Sequence, residues 1–402
     1  MARPAPRGAN LIRVRAHNER LILTELRSAA LSRAQLTRRT GLSAQTISQI
    51  VRALLDDGLL EPGSPTRGRV GQPSVPLSLA PQGAWFAGLS IHRRSAELVL
   101  MDFTGQLVQR RFIDYQWPEP QAIVTFVIDA WAALTVGIAI ERLHGLGIAQ
   151  PFFLWEWPER LGAPADILGR WRDADIDVQL SQALQQPVFV ENDASAACGA
   201  ELTFGNRIAH RDFAYLYIGW FIGGGLVLDG ALHTGANGNA GAFGPLRVHD
   251  AGQPERSTRL LDVASIRLLE AMLAERDGGG DAASGALSLN HEDAPGWQAH
   301  PDLVERWLDR VVDALSQASV AICSVLDVGA IVIDGPFPPA VRDHLVTRIR
   351  HACTTLDTRG VLLPDIVPGS LGSRAPLLGA ARQPLFARFL LDQTVLTDVD
   401  SA

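Results

Sequence analysis

Cysteine is almost missing from this chain. Cys198, Cys323 and Cys353 are the only three in 402 residues, and they stand far apart. So sparse a set argues against a disulfide framework and against a cysteine zinc cluster, and it fits a reducing compartment. Long hydrophobic runs are also lacking: none reaches the roughly 18–20 apolar residues needed to span a bilayer. The opening MARPAPRGANLIRVRAHNER carries charge but no apolar centre, which excludes a secretory signal and leaves a cytoplasmic location as the expectation. Lysine is absent from the first 80 residues, where twelve arginines stand against five acidic residues. The remainder carries 24 basic and 38 acidic residues, so a net charge of −7 conceals a basic head on an acidic body. A head of that sign suits a polyanion. The length fits two to three domains.

What the head does contain is a helix-turn-helix pattern. In LSRAQLTRRTGLSAQTISQIVRALLDDGLL, Ser32 and Gln35 have capping-box spacing for one helix, and Gly41 suits the left-handed position that ends it. Ser43 then caps a second helix, on which Ile47, Ile50, Val51, Leu54 and Leu55 make one apolar face; Gly58 ends it. An earlier amphipathic stretch, roughly Glu19–Ala30, supplies a third helix. Ser43, Ala44, Gln45, Thr46, Ser48, Gln49 and Arg52 lie at the start and on the outer side of the second helix. Small and amide side chains there can read base edges in a major groove, and Arg52 suits a phosphate. Leu59–Leu60 and Val75–Leu79 read as the strands of a wing around a basic tip, where Arg67 and Arg69 suit a narrow minor groove. A solvated linker is the competing reading of that tip. Prolines 62, 65, 73, 76 and 81 mark the boundary of a DNA-binding unit over residues 1–80.

From Trp85 the pattern becomes that of an α/β body. Strands flank a turn at Asp102–Gly105, a helix is expected near Gln121–Glu141, and GLGIAQP and PVFVENDASAACGAE read as apolar strands running into polar loops. FAYLYIGWFIGGGLVLDGALH reads as a hairpin. Helices are expected within 257–275 and 301–326, followed by the strand GAIVIDG; residues 278–297 read as a flexible excursion.

Four pieces in fixed order, GQPS after the wing, VENDASAA at 190–197, GGGLVLDG at 223–230 and GANGNAG at 235–241, resemble the ROK family of repressors, open reading frames and kinases. The resemblance covers nearly the whole chain. It implies a winged helix-turn-helix followed by a two-lobed body of the actin-like, ribonuclease H-like sugar-kinase type. Its first lobe is expected over 81–194, completed by a C-terminal helix at 376–393, and its second over 195–375.

The resemblance also frames the enzyme question. ROK kinases cradle ATP phosphates with an Asp-x-Gly-Gly-Thr turn; here Ser90, His92, Arg93 and Arg94 stand at its Asp, Gly, Gly and Thr. The second phosphate loop contains Trp220 and Phe221, and Asp334-Gly335-Pro336 replaces a third glycine loop, setting a carboxylate where a triphosphate would lie. Three altered loops imply no ATP cofactor and no kinase activity, with Asp193 as the base were the chain active. On the sugar side, Asn192, Asp193, Gly238 and Asn239 stand at ligand positions. Ala242 and Pro245 replace the family's sugar-binding Glu and metal-associated His, and no cysteine loop follows, so no metal is expected; His233 and His249 read as surface residues. Phe152, Phe153, Trp155, Trp157 and Trp171 supply aromatics near the cleft, with core packing as the competing reading, and Glu156 could replace the lost carboxylate.

The expectation is a repressor of sugar uptake or catabolism genes. It binds a palindromic double-stranded operator as a homodimer, or a dimer of dimers, and responds to a sugar. The alternatives are a sugar kinase with an appended head, and a constitutive DNA-binding protein with a vestigial cleft.

Overall fold

The head folds on local capping chemistry. A computed structural model describes residues 7–65, 74–206, 208–250, 253–276, 289 and 291–391. Helix α1 (Arg7–Ser28) starts well before the expected Glu19. Helix α2 (Arg33–Thr40) opens on a complete capping box: the Ser32 hydroxyl accepts from the Gln35 N–H, and the Gln35 side chain accepts from the Ser32 N–H. It closes on Gly41 at φ +67°, whose N–H donates to the Thr37 carbonyl. Ser43 caps α3 (Ala44–Asp56) by accepting from the Thr46 N–H. Ile47, Ile50, Val51 and Leu54 are buried, each contributing about 1.5–3 kcal/mol, while Leu55 is half-buried. Strands β1 (Leu60–Pro62) and β2 (Leu77–Leu79) pair antiparallel as the arms of the wing, shorter than expected on the β2 side. Arg67, Arg69 and most of GQPS lie outside the described residues.

The body is built on two five-stranded sheets of matching design. In the first lobe β3 (Trp85–Ile91), β4 (Ser95–Asp102) and β5 (Leu107–Asp114) run antiparallel around the turn at Asp102–Gly105. Helix α4 (Pro120–Leu134) then leads to β6 (Leu143–Gln150), parallel to β3. It stops a full two turns before the expected Glu141. The short helices α5 (Pro158–Leu161) and α6 (Ala165–Gly169) and the longer α7 (Ile176–Leu184) lead to β7 (Val188–Asn192), which pairs with β6 to complete the order β5-β4-β3-β6-β7. VENDASAA does not end in a polar loop. Asn192 passes directly into helix α8 (Asp193–Phe204), because its side chain caps the first turn.

The second lobe repeats the scheme. Strands β8 (Phe213–Ile218), β9 (Ile222–Leu228) and β10 (Ala231–Leu232) form the antiparallel half. A ribbon of β11 (Arg247–Asp250) and β12 (Gln253–Arg259) follows, and the helices expected within 257–275 begin after it, at Leu260. Helices α9 (Leu260–Val263), α10 (Ile266–Arg276), α11 (Gly296–Ala299) and α12 (Pro301–Leu326) lead to β13 (Ala330–Asp334). Helix α13 (Pro339–Cys353) and β14 (Asp365–Pro368) complete the order β10-β9-β8-β13-β14, with β13 parallel to both neighbours. The doubling of one sheet order gives the two-lobed body expected above.

Helix α14 (Ala375–Phe389) returns to the first lobe and packs on β3, β6 and α8. Small residues permit the close approach: a Cβ on Gly147 would lie 1.9 Å from the Ala380 carbonyl oxygen, and one on Gly379 would lie 2.0 Å from that of Ala196. Helix α8 packs in turn against β9 of the second lobe. The head is seated on this pair. Ile22, Leu23 and Leu26 of α1 share one apolar core with Phe86, Phe103, Ala200 and Phe389. Arg20 donates to the Ala387 carbonyl and the Leu391 N–H donates to Thr24 Oγ1.

Candidate functional site

Between the lobes lies a cavity of about 450 Å³. The β7–α8 junction supplies its polar wall. Asn192 Oδ1 accepts from the N–H groups of Ala194 and Ser195 at 3.1 and 3.3 Å, which leaves its amide N–H donors as the remaining bonding capacity. Asp193 Oδ1 accepts from the Ala194 N–H at 2.9 Å. Its surroundings desolvate the carboxyl and raise its pKa to about 6, against the opposing pull of that backbone bond.

The other expected ligand residues divide. Asn239, Ala242 and Pro245 border the cavity. Gly238 stands behind the wall: its left-handed turn (φ +68°) lies against Phe152, which does border it. Phe153 takes an uncommon left-handed conformation (φ 59°) beside an exposed Glu156, and both line the cavity. Trp157 lines it as well, whereas Trp171 is core, donating to the Pro118 carbonyl. Leu161, Tyr217, His291 and Arg374 complete parts of the wall that sequence reasoning missed. Tyr217 stands two residues before the glycine loop, whereas Leu161, His291 and Arg374 lie outside the motifs, and only the fold assembles them.

The two segments matched to phosphate loops meet each other. The Arg93 guanidinium lies 4.0 Å over the Trp220 ring, and Trp220 Nε1 donates to Glu270 at 2.7 Å. Phe221 packs on Trp220 with ring centres 4.6 Å apart. Asp334 requires a correction. It does not present a carboxylate to a ligand: it is fully buried, accepts from Arg342 at 2.8 Å, from Tyr215 and from the Gly335 and Gly372 N–H groups. Its charge is balanced by Arg342, and it ties β13 to the loop before α14.

On the head, Ala44, Gln45, Ser48, Gln49 and Arg52 are exposed along one side of α3, opposite the buried face. Ser43 is also exposed, but its hydroxyl is engaged in capping and contacts the half-buried Thr46 hydroxyl at 2.9 Å. Arg52 lies 3.9 Å from Asp56, a loose exposed pair.

A winged helix joined to a two-lobed α/β body with an interlobe cavity is thus the class of protein that fold and site define. The comparisons agree. Residues 87–258 match the ROK family and residues 17–69 the MarR family. The chain carries a ROK family domain behind a MarR-like winged helix. Protein y4fQ of Sinorhizobium fredii is 26% identical over 93% of this chain and 91% of its own length. The xylose repressor of Bacillus subtilis is 25% identical over 58% of this chain and 61% of its own. Among solved structures, a ROK family transcriptional regulator, a homologue of the E. coli MLC protein, superposes with a TM-score of 0.66 at 20% identity, covering 95% of this chain and 98% of that one. A ROK family glucokinase from Streptomyces griseus, in complex with glucose and AMPPNP, gives 0.55 at 22% identity, covering 74% of this chain and 98% of its own. These structural likenesses establish the fold. No described helix is long and apolar enough to cross a membrane.

Proposed function

We propose that the protein is a sequence-specific DNA-binding transcriptional repressor whose ROK body senses a sugar and has no kinase activity. The observation that carries the reading is the outer face of α3: Ala44, Gln45, Ser48 and Gln49 are exposed on the second helix of a helix-turn-helix, backed by a fully apolar inner face. Short and amide side chains there match major-groove readout. The similarity to a xylose repressor supports the same reading. Asn192, Asp193, Asn239 and Glu156 converge on one cavity with aromatic walls, as a polyhydroxylated ligand requires.

Trp220 under Arg93 supports the loss of phosphoryl transfer, since bulky side chains occupy loops that need close backbone approach to phosphates. Without that transfer, Asp193 acts as an acceptor for a ligand hydroxyl. A symmetric homodimer would set two heads on a palindromic operator. The test is binding to DNA from the gene's own upstream region. Gln45→Ala and Gln49→Ala should each weaken specific binding by about 1–3 kcal/mol while leaving non-specific binding intact. A coupled ADP-release assay with sugars should show no turnover. Turnover lost in Asp193→Ala would establish a kinase instead.

A further inference from the structure

The first lobe ends on an open strand. β5 is the last strand of its sheet, and among the described residues no strand pairs with its outer side. On the inner side, the Tyr115 N–H just beyond it donates to the Arg94 carbonyl. Backbone polar groups alternate sides along an antiparallel strand, so Arg110, Phe112 and Asp114 turn theirs outward. Such an edge is a template for another strand unless it is blunted. This one has no lysine and no proline, and Phe112 is 68% and Val108 45% exposed. The Arg111 guanidinium donates to the Arg110 carbonyl at 2.8 Å, but that oxygen keeps a second lone pair.

The helix beside the edge is as bare. Helix α4 has one charged residue in fifteen, Asp129. Ala122, Thr125 and Asp129 are exposed, and with Ile113 and Phe126 they line a shallow groove of about 700 Å³ between helix and strand. A solvated helix ordinarily carries charge on its outer face, and contiguous apolar surface marks a protein contact.

Charge selects the partner. In a two-fold pairing of β5 with a second copy, an axis through Arg110, Arg111 or Asp114 sets that charge against itself. Of the axes through a β5 residue, that on Phe112 alone opposes unlike charges within the strand. It brings the two Phe112 side chains together and places Arg110 opposite Asp114 of the partner subunit, once on each side. Arg110 pairs with Glu97 at 2.6 Å in its own chain, yet its side chain is more than half exposed and can bridge to a second carboxylate. In this register the outward N–H and C=O groups of Arg110, Phe112 and Asp114 all find partners.

We propose that the β5 edge and the adjoining face of α4 form an interface with a second copy of this chain, in which antiparallel β5–β5 pairing joins the two first-lobe sheets. The assignment rests on the symmetric homodimer proposed above and names its surface.

The test is sedimentation equilibrium of the full-length protein. Phe112→Glu, Ala122→Arg and Asp114→Arg should each weaken association at least about tenfold. The control Leu362→Glu, 82% exposed on the second lobe, should not. All four sites are exposed, so melting temperatures should stay near wild type. The register is read by cross-linking with a short bismaleimide, the three native cysteines being buried. Phe112→Cys should link to its own copy. Val108→Cys should not, because its copies stand about 27 Å apart along the paired strands. Association that survives all three substitutions, or cross-linking at Val108→Cys in place of Phe112→Cys, overturns this surface and leaves the dimer. A wild type that stays monomeric overturns both. Mass is read without DNA, so the DNA affinity of the head does not enter the result.

Discussion

Arg27 in the last turn of α1 donates to the backbone carbonyl of Thr203, at the far end of α8 from Asn192 and Asp193. Arg382 of α14 donates to the Thr203 hydroxyl at 2.7 Å. The head therefore rests on the same helix whose first turn borders the cavity, about 15 Å away. Burial and the neighbouring Arg382 lower the Arg27 pKa to about 10, so it stays charged at neutral pH. A displacement of α8 on ligand binding has a direct route to α1, and both sites can bias one rigid element.

Arg27→Ala should loosen the head. It strips the Thr203 carbonyl of its charged donor and removes an aliphatic stem from a mostly buried position. The expected loss is about 1–3 kcal/mol in denaturant unfolding, with faster proteolytic release of residues preceding the body. Unchanged stability and unchanged cleavage would mean that the contact holds nothing in place.

The α8–α14 contact should tolerate no added carbon. Gly379→Ala sets a methyl group 2.0 Å from the Ala196 carbonyl oxygen, and backbone must shift to admit it. Overpacking of this kind costs about 1–3 kcal/mol. Gly169→Ala is the matched control, since nothing lies within 4 Å of its added Cβ. Thermal unfolding should separate the two. Equal melting temperatures would contradict the packing described.

Stability should fall as pH rises from about 4 to about 7. Burial raises the Asp193 carboxyl to about 6, and burial with the nearby Asp334 raises Glu201 to about 7. Both folded values lie above the ordinary ones, so the native state binds more protons than the unfolded chain in this window. The associated stabilisation is complete below the unfolded pKa values and is lost as pH passes the folded ones. Glu201→Gln keeps a hydrogen-bonding side chain against Ser370 and removes one titration, so its stability curve should be flatter over that range. A curve parallel to wild type would show that Glu201 does not titrate there.

The head was legible because capping is local chemistry. Ser32, Gln35, Gly41 and Ser43 act within four residues of themselves, and the apolar positions of α3 repeat at helical spacing. The two lobes were legible through ordered motifs, not through periodicity. What remained hidden is long-range. Nothing near Asp334 in sequence announces that Arg342 balances it and that the loop before α14 donates to it. The same holds for Arg27 and Thr203, which lie 176 positions apart. The motif marks Asn192 as a ligand residue. Its second role, capping α8, depended on seeing that VENDASAA turns into helix without an intervening loop. In sequence Arg93 and Trp220 are each a bulky residue in a phosphate-loop position; their stacking on one another emerges only with both lobes in place.

The most direct test of the account is fluorescence anisotropy of the full-length protein on DNA from its own upstream region. Salt would be titrated first, then a panel of sugars and sugar phosphates, without ATP. The account predicts tight, salt-dependent binding that at least one compound shifts by about tenfold, equivalent to roughly 1.4 kcal/mol of coupling. It also predicts that Asp193→Ala abolishes the shift while leaving DNA affinity in place. Specific binding that no compound alters would contradict the sensor, and absence of specific binding would contradict the reading of α3.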